Sequence, residues 1–295
     1  MTNQIATLNT DNFNEMAKAM GMTADMGKET KAKQSMLPRL RIWNQAVMGD
    51  VEVKGKKKKM EVVPAGMYRL EMADSKFVFA EEADIRVFVQ RFMYKRYDSE
   101  NKQYVKTLMA EDLNGDLKDN TGGLNCGKPA GYIEDFQALP DDMKTLIKQI
   151  KRVRVLMGEV TLRGAVDEKG EEIGDITEPF IWEVENRDAF KTMGAPFTMM
   201  AKQKRLPVQH FIHCGTVEQS LPTGASFYLP IATVDLTSTI GLSDDDQKRF
   251  SDFIEWINNY NDYIVKAWTD KRKETLSADD ESLVEDFIDI EVGEE

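Results

Sequence analysis

Residues that staple chains or ligate metals are scarce here. Among 295 residues there are two cysteines and two histidines, which excludes a disulfide framework and an array of zinc fingers. No apolar run approaches the roughly 18 residues that a membrane span needs. The first residues, Met1-Thr2-Asn3-Gln4-Ile5, lack a basic stretch followed by an apolar block, so no secretory leader is expected and a reducing, cytoplasmic setting is. Also missing are a glycine-rich phosphate loop ending in Lys-Ser/Thr, a dinucleotide fingerprint and a Gly-x-Ser-x-Gly elbow. No cofactor and no enzymatic activity are therefore expected. Hydrophobic residues at 41% and charged residues at 31% are the balance of an ordinary globular protein.

The few potential metal ligands are grouped. His210, His213 and Cys214 form a His-x-x-His-Cys run, with Cys126 as the other thiol. Four such ligands make a tetrahedral site only if the fold brings Cys126 across. Alternation over Val208–Cys214 instead sends His210 and His213 to opposite faces, and no metal site is assigned. Asp112-x-Asn114-x-Asp116 begins like a calcium loop but has Leu117 where glycine is needed, so it reads as a turn.

What the chain does have is charge, unevenly placed. The formal net charge is −12. Asp279 to Glu295 holds nine acids and no base, and removing them from −12 leaves −3 for the rest. Residues 31–60 hold nine lysines and arginines against Asp50 and Glu52. A basic front and an acidic end suggest polyanion binding with an acidic interaction tail; the plainer alternative is solvated surface at both ends.

Pattern divides the chain into four parts. Residues 1–35 are polar and read as a flexible arm. Residues 36–240 show short alternating runs separated by Gly, Pro and Asp/Asn punctuation, the mark of a barrel or sandwich. Over 241–275 an amphipathic helix is predicted: Ser243-Asp244-Asp245-Asp246 resembles a capping box, and Phe250, Phe253, Ile254, Ile257, Tyr260, Ile264 and Trp268 recur at three and four residues. Residues 276–295 read as a disordered acidic tail. The expected fold is mainly β with several helices, an α+β chain built on an OB-like barrel or elaborated β-sandwich and closed by the long C-terminal helix.

Chemistry concentrates on one run. If Ile85–Arg96 is a regular strand, period two puts Arg86, Phe88, Gln90, Phe92, Tyr94 and Arg96 on one face. Rings for stacking bases and cations for phosphates are what a sequence-tolerant single-strand binder needs. The other reading is a strand buried on both sides, with Phe88 and Phe92 in the core. Arg39, Arg41 and Trp43 also share a parity, as do Arg152 and Arg154 beside Lys151. Lys54 and the run Lys56, Lys57, Lys58 and Lys59 read as a basic loop or strand end.

Together these residues resemble bacteriophage single-stranded DNA-binding proteins of the helix-destabilising type: a basic, aromatic β domain followed by an acidic tail. The resemblance implies an OB-type barrel that coats single-stranded DNA in replication or recombination, within a host cytoplasm. It also implies that Glu285, Asp286, Phe287, Ile288 and Asp289 contact replication proteins such as a polymerase, primase or helicase. No membrane partner is expected, and self-association is left open. Two rivals compete: a virion structural or assembly protein with charge-paired subunits, and a nuclease built from carboxylates.

Overall fold

The computed structural model describes residues 37–53 and 55–291, with side chains to Glu274 apart from Val53. The expected arm over 1–35 lies outside the described residues.

The chain is mainly β, with 42% strand against 25% helix. Among the described residues eleven strands run in order: β1 (Arg39–Ile42), β2 (Val47–Val53), β3 (Lys56–Val63), β4 (Tyr68–Glu71), β5 (Phe77–Ala80), β6 (Ala83–Asp98), β7 (Gln103–Lys106), β8 (Lys151–Val166), β9 (Glu172–Val184), β10 (Ile212–Ser220) and β11 (Ser226–Val234). The α-helices of the described residues are α1 (Asp141–Gln149), α2 (Arg187–Thr192), α3 (Ala195–Lys202) and α4 (Asp244–Glu291). β1, β4, β5, β8 and β9 pair in that order, and β9 returns to β1 through Arg39 and Ile181. The result is a closed five-strand barrel, compatible with an OB fold. β6, β10 and β11 extend the sheet outward from β8, while β2 and β3 form a separate two-stranded ribbon.

Alternation explains the barrel core. In β1, Leu40 is buried between exposed Arg39 and Arg41. Leu40, Tyr68, Leu70, Leu156, Phe180 and Trp182 meet inside. β8 is buried on both sides, and its two residue sets go to different places. Leu156, Val160 and Leu162 enter the barrel. Val153, Val155 and Met157 lie with Phe253 and Ile257 of α4.

Helix α4 begins as predicted. The Ser243 N–H donates to Asp246 Oδ2 at 2.9 Å and the Asp246 N–H to Ser243 Oγ at 3.2 Å, the reciprocal capping pattern. Further along, Asn261 accepts from the Met109 N–H and donates to its carbonyl, which pins the helix to an irregular loop. Phe250, expected on the packed face, is 47% exposed. The helix continues to Glu291, so the boundary expected at 275 is not a helix end, and the backbone of the expected disordered segment is helical to that point. Val208, expected in a strand, lies in the 3-10 turn Pro207–Gln209.

β6 carries an extra residue. Its register with β8 shifts between Val87 and Val89, leaving Phe88 in a bulge. β8 has Gly158 at that place, opposite Val87. A Cβ on Gly158 would overlap the Arg86 carbonyl oxygen, so only glycine lets the two backbones approach this closely. Gly158→Ala is expected to destabilise the protein by about 1–3 kcal/mol, the usual cost of overpacking. A urea midpoint equal to that of the parent protein would contradict it.

Candidate nucleic-acid interface

The bulge at Phe88 breaks the expected strip. A bulge reverses the parity of the strand beyond it. Arg86 and Phe88 therefore face α4, whereas Gln90, Phe92, Tyr94 and Arg96 face the opposite side. Arg86 is spent on structure: Nη1 and Nη2 donate to Asp246 Oδ1 and Oδ2 at 2.8 and 2.9 Å, and Nε donates to the Val208 carbonyl at 2.6 Å. Those hydrogen bonds hold the Asp246 carboxyl down at about 2. Phe88 packs against Phe253 with ring centroids 5.9 Å apart. Neither residue lines an open groove.

Beyond the bulge the expected mixture does assemble. Phe92 pairs in register with Arg154, and Tyr94 with Arg152. α2 and α3 bring two further rings. The Arg154 guanidinium lies 4.6 Å from the Phe190 centroid, 5.1 Å from Phe92 and 5.7 Å from Phe197. Its Nε donates to the Phe190 carbonyl and its Nη1 to Gln90 Oε1. No carboxylate among the described residues pairs with it, and burial pushes it down to about 10. A buried cation without a counter-charge is costly. Arg152 stands exposed beside it, 5.8 Å from the Phe190 ring. Lys128 Nζ lies 5.6 Å from the Tyr94 ring, and the half-buried Arg96 has an Nε without a partner. The Tyr94 hydroxyl donates to the Leu113 carbonyl, and burial raises its pKa.

Phe190 and Phe197 escaped the sequence reading because α2 and α3 did. Two signals were present. Asn186 caps α2 by accepting from the Asp188 and Ala189 N–H groups, and Pro196 stands in the first turn of α3, both helix-start residues.

Arg39, Arg41 and Trp43 gather elsewhere, on the outer side of β1 and β4. There Arg69 is sandwiched, its guanidinium 3.7 Å from the Trp43 centroid and 4.5 Å from that of Phe77. Arg41 pairs with Arg69 across the strands. Burial, followed by the Arg41 charge, lowers the Arg69 pKa, and the buried Nε of Arg69 has no partner.

Lys56, Lys57, Lys58 and Lys59 are exposed and form the first half of β3, which is the strand-end alternative and not the loop; Lys54 lies outside the described residues. Lys151 departs from expectation. It faces away from Arg152 and Arg154, and its Nζ is 3.0 Å from Glu185. Lys95 pairs with Glu183 and with the same Glu185. Period two separates Lys151 from its neighbours, and that carboxylate neutralises it.

The four possible metal ligands do not converge. Cys126 sits with Tyr94 and Val105, and Cys214 in the barrel core. Burial pushes the Cys126 thiol up to about 12 and raises Cys214 further, so both are inert as nucleophiles. His210 Nδ1 is 3.2 Å from the Asp235 carbonyl and His213 Nδ1 is 2.6 Å from Asp84. No cluster of three or more ligands occurs among the described residues. The side chains of Glu285, Asp286, Phe287, Ile288 and Asp289 lie outside the described residues. No described helix is long and apolar enough to cross a membrane.

No protein-family model matches the chain, and no curated protein or solved structure matches it.

Proposed function

We propose that the protein binds and coats single-stranded DNA without catalysing a reaction on it, through the β6–β8 face beyond the bulge. The observation that carries this reading is Arg154: a desolvated guanidinium framed by Phe92, Phe190 and Phe197 with no carboxylate to pair with. A phosphate reaching Arg152 and Arg154 supplies the missing counter-charge. Rings at the same place offer stacking, worth about 1–3 kcal/mol per base. A cation meant only for solubility would sit in water, as Lys151 does beside Glu185. In this reading the chain serves replication or recombination, that of a phage by the resemblance. The acidic segment, Glu285 to Asp289 included, recruits replication proteins.

Anisotropy of a labelled dT oligomer tests the proposal. Binding is expected at low salt, with affinity falling steeply as salt rises because bound counterions are released. Absence of binding at about 50 mM salt, or an affinity indifferent to salt, defeats it.

A further inference from the structure

The β2–β3 ribbon leaves the barrel and has chemistry of its own. Its base packs through Val47, Val62 and Val63 into a cluster with Trp43, Phe77 and Phe79. Beyond that base it is a two-stranded arm. At about 3.3 Å per residue, the length of β2 gives it a reach of roughly 20 Å. Isolated two-stranded ribbons are marginal in water, so an arm of this kind is more readily explained by a partner than by self-support.

Its register sorts the lysine run. Lys57 stands opposite Glu52, Lys59 opposite Asp50 and Glu61 opposite Met48. Those residues share one face, which carries three acids and two bases. Lys56 stands opposite Val53, Lys58 opposite Val51 and Met60 opposite Gly49. That second face carries two lysines and no acid. Solubility alone would not require such a division, since any placement of four lysines serves it.

The arm also holds no aromatic residue: Val47 to Val63 reads VMGDVEVKGKKKKMEVV. Without rings it cannot stack unpaired bases. Lysine with aliphatic side chains on a narrow ribbon suits another partner. A duplex groove about 12 Å wide accepts a two-stranded β-ribbon, with lysines meeting the flanking phosphates. At the foot of the arm stand Trp43, exposed Arg41 and the partnerless Nε of Arg69, a second group of ring and cations apart from the β6–β8 face.

We infer that the ribbon is a duplex-binding arm, applied to a DNA groove by its Lys56–Lys58 face, so that the protein engages the junction where a duplex opens into single strands. The junction half rests on the single-strand reading above; the duplex half does not.

The full-length chain is titrated by anisotropy with a dT oligomer, a blunt duplex, and a duplex bearing a dT tail of the same length. The tailed duplex is expected to bind about tenfold tighter than the dT oligomer, the ribbon adding phosphate contacts. Lys56→Gln with Lys58→Gln should abolish that preference and lower the salt slope on the tailed duplex by about 2, one for each phosphate contact. Lys57→Gln with Lys59→Gln removes the same charge from the same ribbon and should leave the preference within about twofold. Equal losses from both pairs, a larger loss from the second, no loss from either, or no preference in the parent protein overturns the inference. If dT is bound and the preference is absent, the arm fails alone. If duplex is bound through Lys56 and Lys58 but dT is not, the single-strand proposal fails instead.

Discussion

Arg86→Ala is expected to cost about 3–5 kcal/mol of stability, the loss that follows when one partner of a buried ion pair is removed and the other is left uncompensated. The reason is local. Arg86 and Asp246 have side chains only 10% and 9% exposed, and Asp246 also caps α4 through Ser243. One carboxylate thus joins the start of the helix to the bulged strand it covers. Urea unfolding of parent and variant measures the effect; a loss below about 1 kcal/mol would mean that water screens the pair like a surface one. The same contact sets an acid limit. The Asp246 carboxyl titrates at about 2 in the folded protein, below the ordinary value near 3.9 of an unfolded chain. Its folded pKa is the lower one, so its contribution is complete above about pH 4 and is lost as pH falls toward about 2. By linkage the loss is on the order of 2 kcal/mol. The urea midpoint of the parent protein should fall across that window, and this part of the fall should shrink in Arg86→Ala, where only the Ser243 hydrogen bonds still favour the carboxylate.

Arg154→Met is expected to separate binding from stability. Methionine keeps much of the volume among Phe92, Phe190 and Phe197 and removes a charge that burial disfavours. Replacing buried charges with apolar residues is often neutral or stabilising, so the urea midpoint should hold or rise. Affinity for a dT oligomer should fall roughly tenfold to a hundredfold, the scale of 1–3 kcal/mol for one lost contact at a stacking site. The reverse pattern, weakened folding with binding intact, would make Arg154 a structural residue satisfied by the Phe190 carbonyl, Gln90 and the rings.

Legibility differed from element to element. α4 could be read because its signals are local: a capping box and a three-to-four repeat of apolar residues lie within a few turns of chain. The candidate site was half legible. Arg152 and Arg154 share a face as their parity suggested, but it is the strand register that sets them against Tyr94 and Phe92, and Arg86 and Phe88 do not join them. The single extra residue that reverses β6 is stabilised by Gly158, some seventy positions away, and nothing near Phe88 announces it. Arg69 was passed over because a lone arginine between Tyr68 and Leu70 becomes notable only once Trp43 and Phe77 close on it.

Composition and periodicity by themselves determined the mainly β class, the closing helix and the polarity of charge along the chain. These depend on neighbours within one turn or one pleat, where spacing dictates which side chains share a face. Tertiary structure alone decided which cations remain free. Arg86 and Lys151 are neutralised by Asp246 and Glu185, while Arg154 is buried without a carboxylate. A charge is neutralised by whatever the fold brings within a few ångströms, and sequence distance does not measure that.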